Sequence, residues 1–260
     1  MMNMEPILTP EQIAFYQENG FIQVDNVLTL DEVAELAEAM EEAMTVDAEI
    51  SVKTDKPDGA YFKVLNQKVN VWRDQGSMGK FSFHPRVAQI AKELSGADRI
   101  RFFHDHALWK MPQDSKHTPW HQDLVYWPMN EPGALSAWIP VDDVDENNGC
   151  MKFVPGSHKL GKLTGIDLVN PQNIFDFTQG TDISEKRAVI VPLKKGSCTF
   201  HHGLTFHYAH ANKTDKPRRV LAVIYMPDGT TYNGAKHFIT DNRFQVNDPI
   251  KGGTFPLLTK

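Results

Sequence analysis

Two cysteines in 260 residues, Cys150 and Cys198, are too few for a disulfide framework and are not spaced for zinc. They are expected as reduced, buried thiols. No run of eighteen apolar residues is present, and the opening MMNMEPIL lacks the basic and then apolar stretch of a secretory signal. No membrane span is therefore expected, and the expected location is cytoplasmic. Positive charge is short as well: 27 Lys and Arg stand against 33 Asp and Glu, a net charge of -6, which disfavours a surface that tracks nucleic-acid phosphates. The one dense basic cluster is KPRR, Lys216 to Arg219. Internal repeats, low-complexity tracts and linkers are missing too. With 41% hydrophobic and 23% charged residues, the composition is ordinary for a globular protein, and residues 1–260 are expected to form one domain.

The N-terminal quarter is predicted to be helical. In TPEQIAFYQENG, Thr9 can cap, Pro10 suits the first helical position, Gln12 completes a capping box and Gly20 is the stop. TLDEVAELAEAMEEAM repeats the pattern with Thr29 and Glu32, and puts Val33, Leu36, Ala37, Met40 and Met44 on one core-facing stripe. Asp47 to Gly59 is polar and turn-rich, and HPRVAQIAKELSG then gives a short helix that Gly96 ends. From Ile100 the period changes. IRFFHDHALWKM, LSAWIPV, CMKFV, AVIVPL, SCTF and RRVLAVIYM are rich in β-branched and aromatic residues and are separated by turn residues. Several short strands with polar connections predict a barrel or sandwich. Gly161 to Lys186 is long and polar, either an insertion near a binding mouth or a surface excursion.

Chemistry concentrates in TPWHQDL. In an extended segment His121 and Asp123 project to the same side, so an imidazole and a carboxylate can meet one metal ion. A third ligand must come from elsewhere, and FHHGLTFHYAHANKTDKPRRVL offers His201, His202, His207 and His210. Two histidines and one carboxylate with open positions are the ligand set of non-haem iron(II) oxygenases. His104 and His106, in HDH, form the strongest rival pair, since both share a strand face with Lys110. No obvious partner completes a tetrahedral zinc site there, and they are expected to line the pocket or to be satisfied core histidines. His201 and His202 are expected to be strand residues, the alternative for one of them being a place behind the metal ligands, and His158, in PGSH, to organise a loop.

At these residues the chain resembles the phytanoyl-CoA dioxygenase family of iron(II)- and 2-oxoglutarate-dependent oxygenases. The resemblance runs from LTPEQIAFYQENGFIQVDNVL through TPWHQD and LSAWIPVDDVDENNGCMKFVPGSH to FHHGLTFHYAHANKTDKPRR, nearly the whole chain. It implies a mainly β protein with flanking helices, built on a double-stranded β-helix, a cupin-like jelly-roll barrel. Carried over by position, it implies His121, Asp123 and His207 as metal ligands and catalytic centre, and Arg218, eleven residues beyond His207, as the 2-oxoglutarate arginine. A guanidinium can bind a carboxylate bidentately. In RRVLAVIYM, Arg218 then shares a face with Val220, Ala222 and Ile224, while Arg219 is expected to be a solvated surface charge. Lys110, Thr118 and Trp138 are implied as further co-substrate contacts. Where family members often carry a small hydroxyl two residues past the distal histidine, this chain has Ala209.

The resemblance thus implies iron(II) as cofactor, 2-oxoglutarate and oxygen as co-substrates, and a small-molecule metabolite hydroxylated at an unactivated C–H bond with release of succinate and carbon dioxide. Family halogenases lose the carboxylate ligand, whereas Asp123 is present. The rival class is a non-catalytic jelly-roll metal-binding or sensor protein, for which an arginine at position 218 has no use. Trp109, Trp120, Tyr126 and Trp127 suit an aromatic-walled substrate pocket or the core.

Overall fold

The structure, a computed structural model, describes residues 5–45, 52–53, 63–64, 66–73, 76–113, 115–240 and 243–259. The turn-rich stretch expected from Asp47 to Gly59 lies outside them apart from Val52 and Lys53. The strands are β1 (Phe21–Val24), β2 (Val52–Lys53), β3 (Asn66–Val69), β4 (Ile100–Lys110), β5 (Thr118–His121), β6 (Leu135–Pro140), β7 (Met151–Phe153), β8 (Val189–Val191), β9 (Cys198–His202), β10 (His207–Ala209) and β11 (Arg218–Pro227). Among the described residues no helix is long and apolar enough to cross a membrane.

The capping signals act as expected. Thr9 and Gln12 cap the helix Pro10–Asn19 reciprocally, and Gly20 closes it in the left-handed conformation at φ +80°. A Cβ on Gly20 would stand 2.4 Å from both the His158 ring and Thr205 Oγ1, so only glycine fits. Thr29 and Glu32 open the helix Leu30–Thr45 in the same way. Its buried stripe runs through Val33, Leu36, Ala39, Met40 and Ala43, with Ala37 and Met44 at the margin.

Seven strands in the order β1-β9-β6-β11-β4-β3-β2 form a major sheet, and β5-β10-β7-β8 a minor one. Every neighbouring pair is antiparallel. This is the expected jelly roll. Trp138, Val220 and Ala222 of the major sheet pack against Met151, Phe153 and Ala209 of the minor one. The helices Leu30–Thr45 and Pro85–Ser95 cover the outer face of the major sheet, where Leu36, Met40, Ile90 and Leu94 meet Phe200, Leu221, Val223 and Tyr225.

The N-terminal quarter is less helical than predicted, since β1, β2 and β3 join the major sheet. β3 reads Asn-Gln-Lys-Val, without apolar alternation, yet all four residues are buried. Lys68 is accommodated because its Nζ donates to Ala43 O at 2.6 Å. In β4, Tyr225 pairs with Phe102 and Ile224 with His104, so Phe103 is an extra, bulged residue. The bulge switches the strand's parity. Ile100 and Phe102 join the helix-side core, whereas Phe103, His104, His106 and Leu108 face the space between the sheets.

Asp105 faces the helix side and is buried. Its Oδ1 accepts from Val71 N at 2.8 Å, and its Oδ2 from Trp72 N at 3.2 Å and Ser82 Oγ at 2.6 Å. Burial outweighs these donors and pushes the carboxyl from 3.8 up to about 6. The folded state then prefers the protonated acid, so the stabilising contribution is complete below about pH 4 and is lost as pH rises through about 6. Chemical denaturation at several pH values should show the stability of the wild type falling over that window relative to Asp105→Asn, which has no proton to lose. Asp105→Ala should lower the unfolding free energy by about 2–3 kcal/mol by leaving buried donors unmet. Equal pH slopes in wild type and Asp105→Asn would refute the assignment.

Candidate metal centre

β10 lies between β5 and β7, and its register sets His207 directly opposite His121, ring centroids 4.1 Å apart. Each ring meets the carbonyl two residues behind it: His121 Nδ1 lies 2.7 Å from Pro119 O and His207 Nδ1 2.9 Å from Thr205 O. A carbonyl can only accept, so each Nδ1 carries the proton and each Nε2 keeps a free lone pair. Both Nε2 atoms stand 3.4 Å from Asp123 Oδ1. Ligands held about 2.1 Å from one ion lie about 3 Å from each other, so the three atoms fit a shared metal. Among the described residues this is the one group of three such side chains whose ligand atoms all lie within 4.8 Å of one another.

Asp123 arrives differently from the extended alternation expected of His-Gln-Asp. Its backbone is helical, at φ -74° and ψ -43°, where the turn Leu124–Tyr126 begins. Gln122, buried between the two ligands, donates to Leu204 O and Gly161 O and accepts from Leu163 N, tying the loop after Gly161 to the centre.

The second carboxylate oxygen of Asp123 accepts from Ser136 Oγ at 3.0 Å and lies 3.2 Å from His201 Nε2. Burial alone would raise this carboxyl. The imidazoles of His207, His121 and His201 that surround it override burial and hold it well below the usual range. Of the two roles open to it in the sequence, His201 therefore takes the one behind the carboxylate. Ser136 and His201 are paired across β6 and β9, a juxtaposition with no local signature. His202 instead accepts from Leu204 N and packs against His158, and His210 meets Tyr208 edge-on. His158, bonded to Gln17 O, holds a loop as expected.

The ligands open into a cavity of about 470 Å³ between the sheets. Arg218, Thr118 and Trp138 line it, as do His104 and His106. Arg218 is 2% exposed, lies 5.4 Å over the Trp138 ring, and has no hydrogen-bond partner at Nε or Nη1. Burial pushes this guanidinium down to about 9, still charged at neutral pH. A buried, charged fork with unmet donors suits an incoming carboxylate. Thr118 Oγ1 is also buried without a partner, and Thr118 pairs with Ala209, so a hydroxyl missing from Ala209 is present across the strand pair.

Lys110 is not brought to the cavity wall. It pairs with Arg218, and its Nζ donates to Lys116 O at 2.6 Å. Burial, and then the charge of Arg218, hold its amine well below its ordinary value. Gly149 lets the two cationic side chains approach: at φ +102°, a Cβ there would stand 2.8 Å from His210 O and 3.0 Å from Lys110 Cδ. Arg219 points away from the cavity, as strand parity requires, yet it is not simply solvated. It grips Asp142 through Nε and Nη2 and Glu41 through Nη1.

Of the four aromatic candidates, Tyr126 and Trp127 line the cavity. Trp109 packs against the helix-side core, and Trp120 lies outside, against Phe175 and Tyr208. The polar stretch after Gly161 contributes Ile166 and Leu168 and receives the Tyr126 hydroxyl on Ile166 O, so it borders the binding mouth. Sequence reasoning missed Gln67, His237 and Phe238, which also line the cavity. Cys150 and Cys198 are buried free thiols, both pushed up in pKa by burial.

Residues 16–220 match the sequence profile of the family described as phytanoyl-CoA dioxygenase (PhyH). A probable phytanoyl-CoA dioxygenase of Caenorhabditis elegans is 27% identical over 243 residues, covering 85% of this chain and 76% of that protein. The solved structure of the non-heme alpha ketoglutarate dependent carbocyclase SnoK from nogalamycin biosynthesis is similar with a TM-score of 0.83 and 29% identity, covering 97% of both chains. The epimerase SnoN, solved in complex with Fe3+, alpha ketoglutarate and nogalamycin RO, has a TM-score of 0.78 and 31% identity, covering 95% of this chain and 97% of that one.

Groups that orient a ligand carboxylate from behind commonly matter for metal affinity by roughly 10–100-fold. Ser136→Ala and His201→Phe should each weaken iron(II) binding by that amount, measured by anaerobic titration, with folding retained. His202→Phe, one residue along and turned elsewhere, should leave it unchanged. Equal affinities in all three variants would remove any orienting role for Ser136 and His201.

Proposed function

Because the chain belongs to the phytanoyl-CoA dioxygenase family, we propose that it is an iron(II)- and 2-oxoglutarate-dependent oxygenase that hydroxylates an unactivated C–H bond of a small-molecule metabolite. The observation that carries this is the convergence, in one cavity, of three ligand atoms from His121, Asp123 and His207 with the unpaired guanidinium of Arg218. A purely structural metal site would have no use for that guanidinium, which disfavours a non-catalytic metal-binding protein.

In this proposal His121, Asp123 and His207 hold the iron, and Arg218 binds the far carboxylate of 2-oxoglutarate while resting on Trp138. Thr118 offers its unpartnered hydroxyl to the same co-substrate. Bound iron(II), 2-oxoglutarate and oxygen supply the oxidising chemistry, with release of succinate and carbon dioxide. The backbone carbonyls of Pro119 and Thr205 keep both imidazoles in the ligating tautomer. Ser136 and His201 hold one oxygen of Asp123 so that the other faces the metal. Lys110 pairs with Arg218 across β4 and β11, but its amine is taken up by Lys116 O and makes no contact with the co-substrate in this proposal. The apolar walls of the cavity keep bulk water from the reacting bond.

Under anaerobic conditions, iron(II) with 2-oxoglutarate should give the visible charge-transfer absorption of a chelated keto acid, and His207→Ala should abolish it. Retention in His207→Ala, with loss in His201→Ala or His210→Ala, would overturn the ligand set. Arg218→Ala should raise the KM for 2-oxoglutarate by about thirtyfold or more, since breaking a desolvated charge pair costs about 2–5 kcal/mol. Arg219→Ala, which breaks the ion pairs to Asp142 and Glu41, should change thermal stability and leave that KM within about twofold. Similar KM values in both variants would sink the role given to Arg218. Succinate formation that rises with a substrate, and a product gaining one oxygen atom by mass spectrometry, would separate hydroxylation from ring closure, epimerisation or no turnover.

A further inference from the structure

The two walls of the cavity differ in chemistry. The minor-sheet wall carries His121 and His207. The major-sheet wall carries His104 and His106 on β4, with Gln67 on β3 beside them and His237 and Phe238 from the C-terminal segment. Resting on the oxygenase proposal above, we propose that this major-sheet wall recognises the substrate, and that it takes an uncharged, flat ring system bearing hydroxyl groups.

The rings on this wall form a ladder. Phe238 stacks on His237 at 4.7 Å and 24°, and His237 lies near-parallel to His104 at 6.2 Å and 25°, while Trp127 meets His104 edge-on. Such an array suits a flat ligand that continues the stack, because near-parallel rings attract in offset arrangements. The bulge at Phe103 builds the ladder by turning Phe103 and His104 into the same space, where Phe103 contacts His104 and His237.

Hydrogen-bond polarity then selects the substituents. Gln67 Oε1 lies 2.9 Å from His106 Nδ1 and accepts its proton, so in the neutral ring Nε2 is an acceptor awaiting a donor. His104 beside it is 2% exposed with its Nδ1 enclosed, so it offers the ligand its ring and His106 Nε2 supplies the polar contact. An aliphatic chain would leave His106 Nε2 unsatisfied, whereas a hydroxylated ring meets it. These imidazoles are not a second metal site, since the described residues bring three ligand atoms together only at His121, Asp123 and His207.

Charge excludes the other large substrate class. Among the described residues lining the cavity, Arg218 is the one Lys or Arg, and the co-substrate engages it. Burial holds His104 well below its ordinary value and pushes His106 down to about 4, so neither supplies positive charge near neutrality. A carboxylate, sulfonate or phosphate placed against His104 and His106 would lose hydration there without a counter-charge from either ring or from a Lys or Arg of the cavity other than Arg218. Ile166, Leu168 and Ile224 supply apolar area for the ring edges, and a volume of about 470 Å³ is within the usual span for such ligands.

Four probes test this on protein loaded with iron(II) and 2-oxoglutarate without oxygen: 1,5-dihydroxynaphthalene, naphthalene, 2-naphthoate and decanoyl-CoA, with calorimetry as the readout. The dihydroxy compound should bind tighter than each of the others by about tenfold or more. His106→Phe, which keeps a ring and removes the acceptor, should shrink its advantage over naphthalene to within about twofold, and His106→Gln should restore part of it. The charge-transfer absorption should be unchanged in both variants. Equal or tighter binding of 2-naphthoate or decanoyl-CoA by the wild type would overturn the proposal, as would an undiminished hydroxyl preference in folded His106→Phe. The probe ranking is repeated on metal-free protein, so that a missing absorption band overturns the oxygenase proposal while the ranking still decides the wall.

Discussion

The pairing of β5 with β10 is the constraint from which the centre follows. It sets His207 opposite His121 and fixes the backbone behind each ring, so that Pro119 O and Thr205 O orient both imidazoles alike. Asp123 must then come from outside the strand, because a third extended residue would carry its carboxylate along β5 rather than between two rings. The turn at Leu124, closed by Leu124 N on Gly203 O, supplies that change of direction. Gly203 itself is confined: a Cβ there would stand 2.8 Å from the Trp127 ring and 3.1 Å from Ala134 O.

Around this pairing the protein spends buried polar groups unevenly. Asp105, deep on the helix side, is surrounded by donors and serves the fold. Arg218, Thr118 and His104 are equally buried but keep unmet atoms, and all three face the cavity. Unmet buried atoms occur elsewhere as well, at Tyr16, Trp72 and Tyr225 among others, so it is the charge of Arg218 in the same cavity as the His-Asp-His cluster that points to a carboxylate ligand there. The minor sheet and the turn after β5 provide the proposed metal ligands and the major sheet the polar aromatic wall, with Arg218 and Trp138 at the proposed co-substrate end.

Much of the architecture was legible in the sequence for physical reasons that are local. Capping boxes at Thr9 and Thr29 announce helix starts within four residues, and β-branched, aromatic runs announce β4, β6 and β11. β1 and β3 were not legible. β3 has no apolar alternation, because its burial depends on Ala43 O for Lys68 and on His106 for Gln67, partners distant in the chain. The aromatic candidates divided two and two, since a tryptophan is read equally well as core, wall or surface until its neighbours are known. Arg219 shows the same limit: parity placed it correctly outside the cavity, but its partners Asp142 and Glu41 belong to other elements.

By itself, then, the sequence determined period and parity. Two-residue alternation in RRVLAVIYM puts Arg218 on one face and Arg219 on the other, and alternation after position 103 keeps His104 and His106 together, because side-chain direction in a strand is set by the residue's own backbone. The resemblance of TPWHQD and the His207 segment to known oxygenases named the proposed metal ligands, whose ligand atoms the fold brings within 4.8 Å of one another. Only the tertiary structure decided what stands behind and across from them: Ser136 and His201 at the back of Asp123, Gln67 beside His106, Thr118 facing Ala209, and His237 stacked on His104. Those contacts arise from strand register and from a bulge that pairs Phe102 with Tyr225, and register depends on chains tens of residues apart that no local pattern encodes.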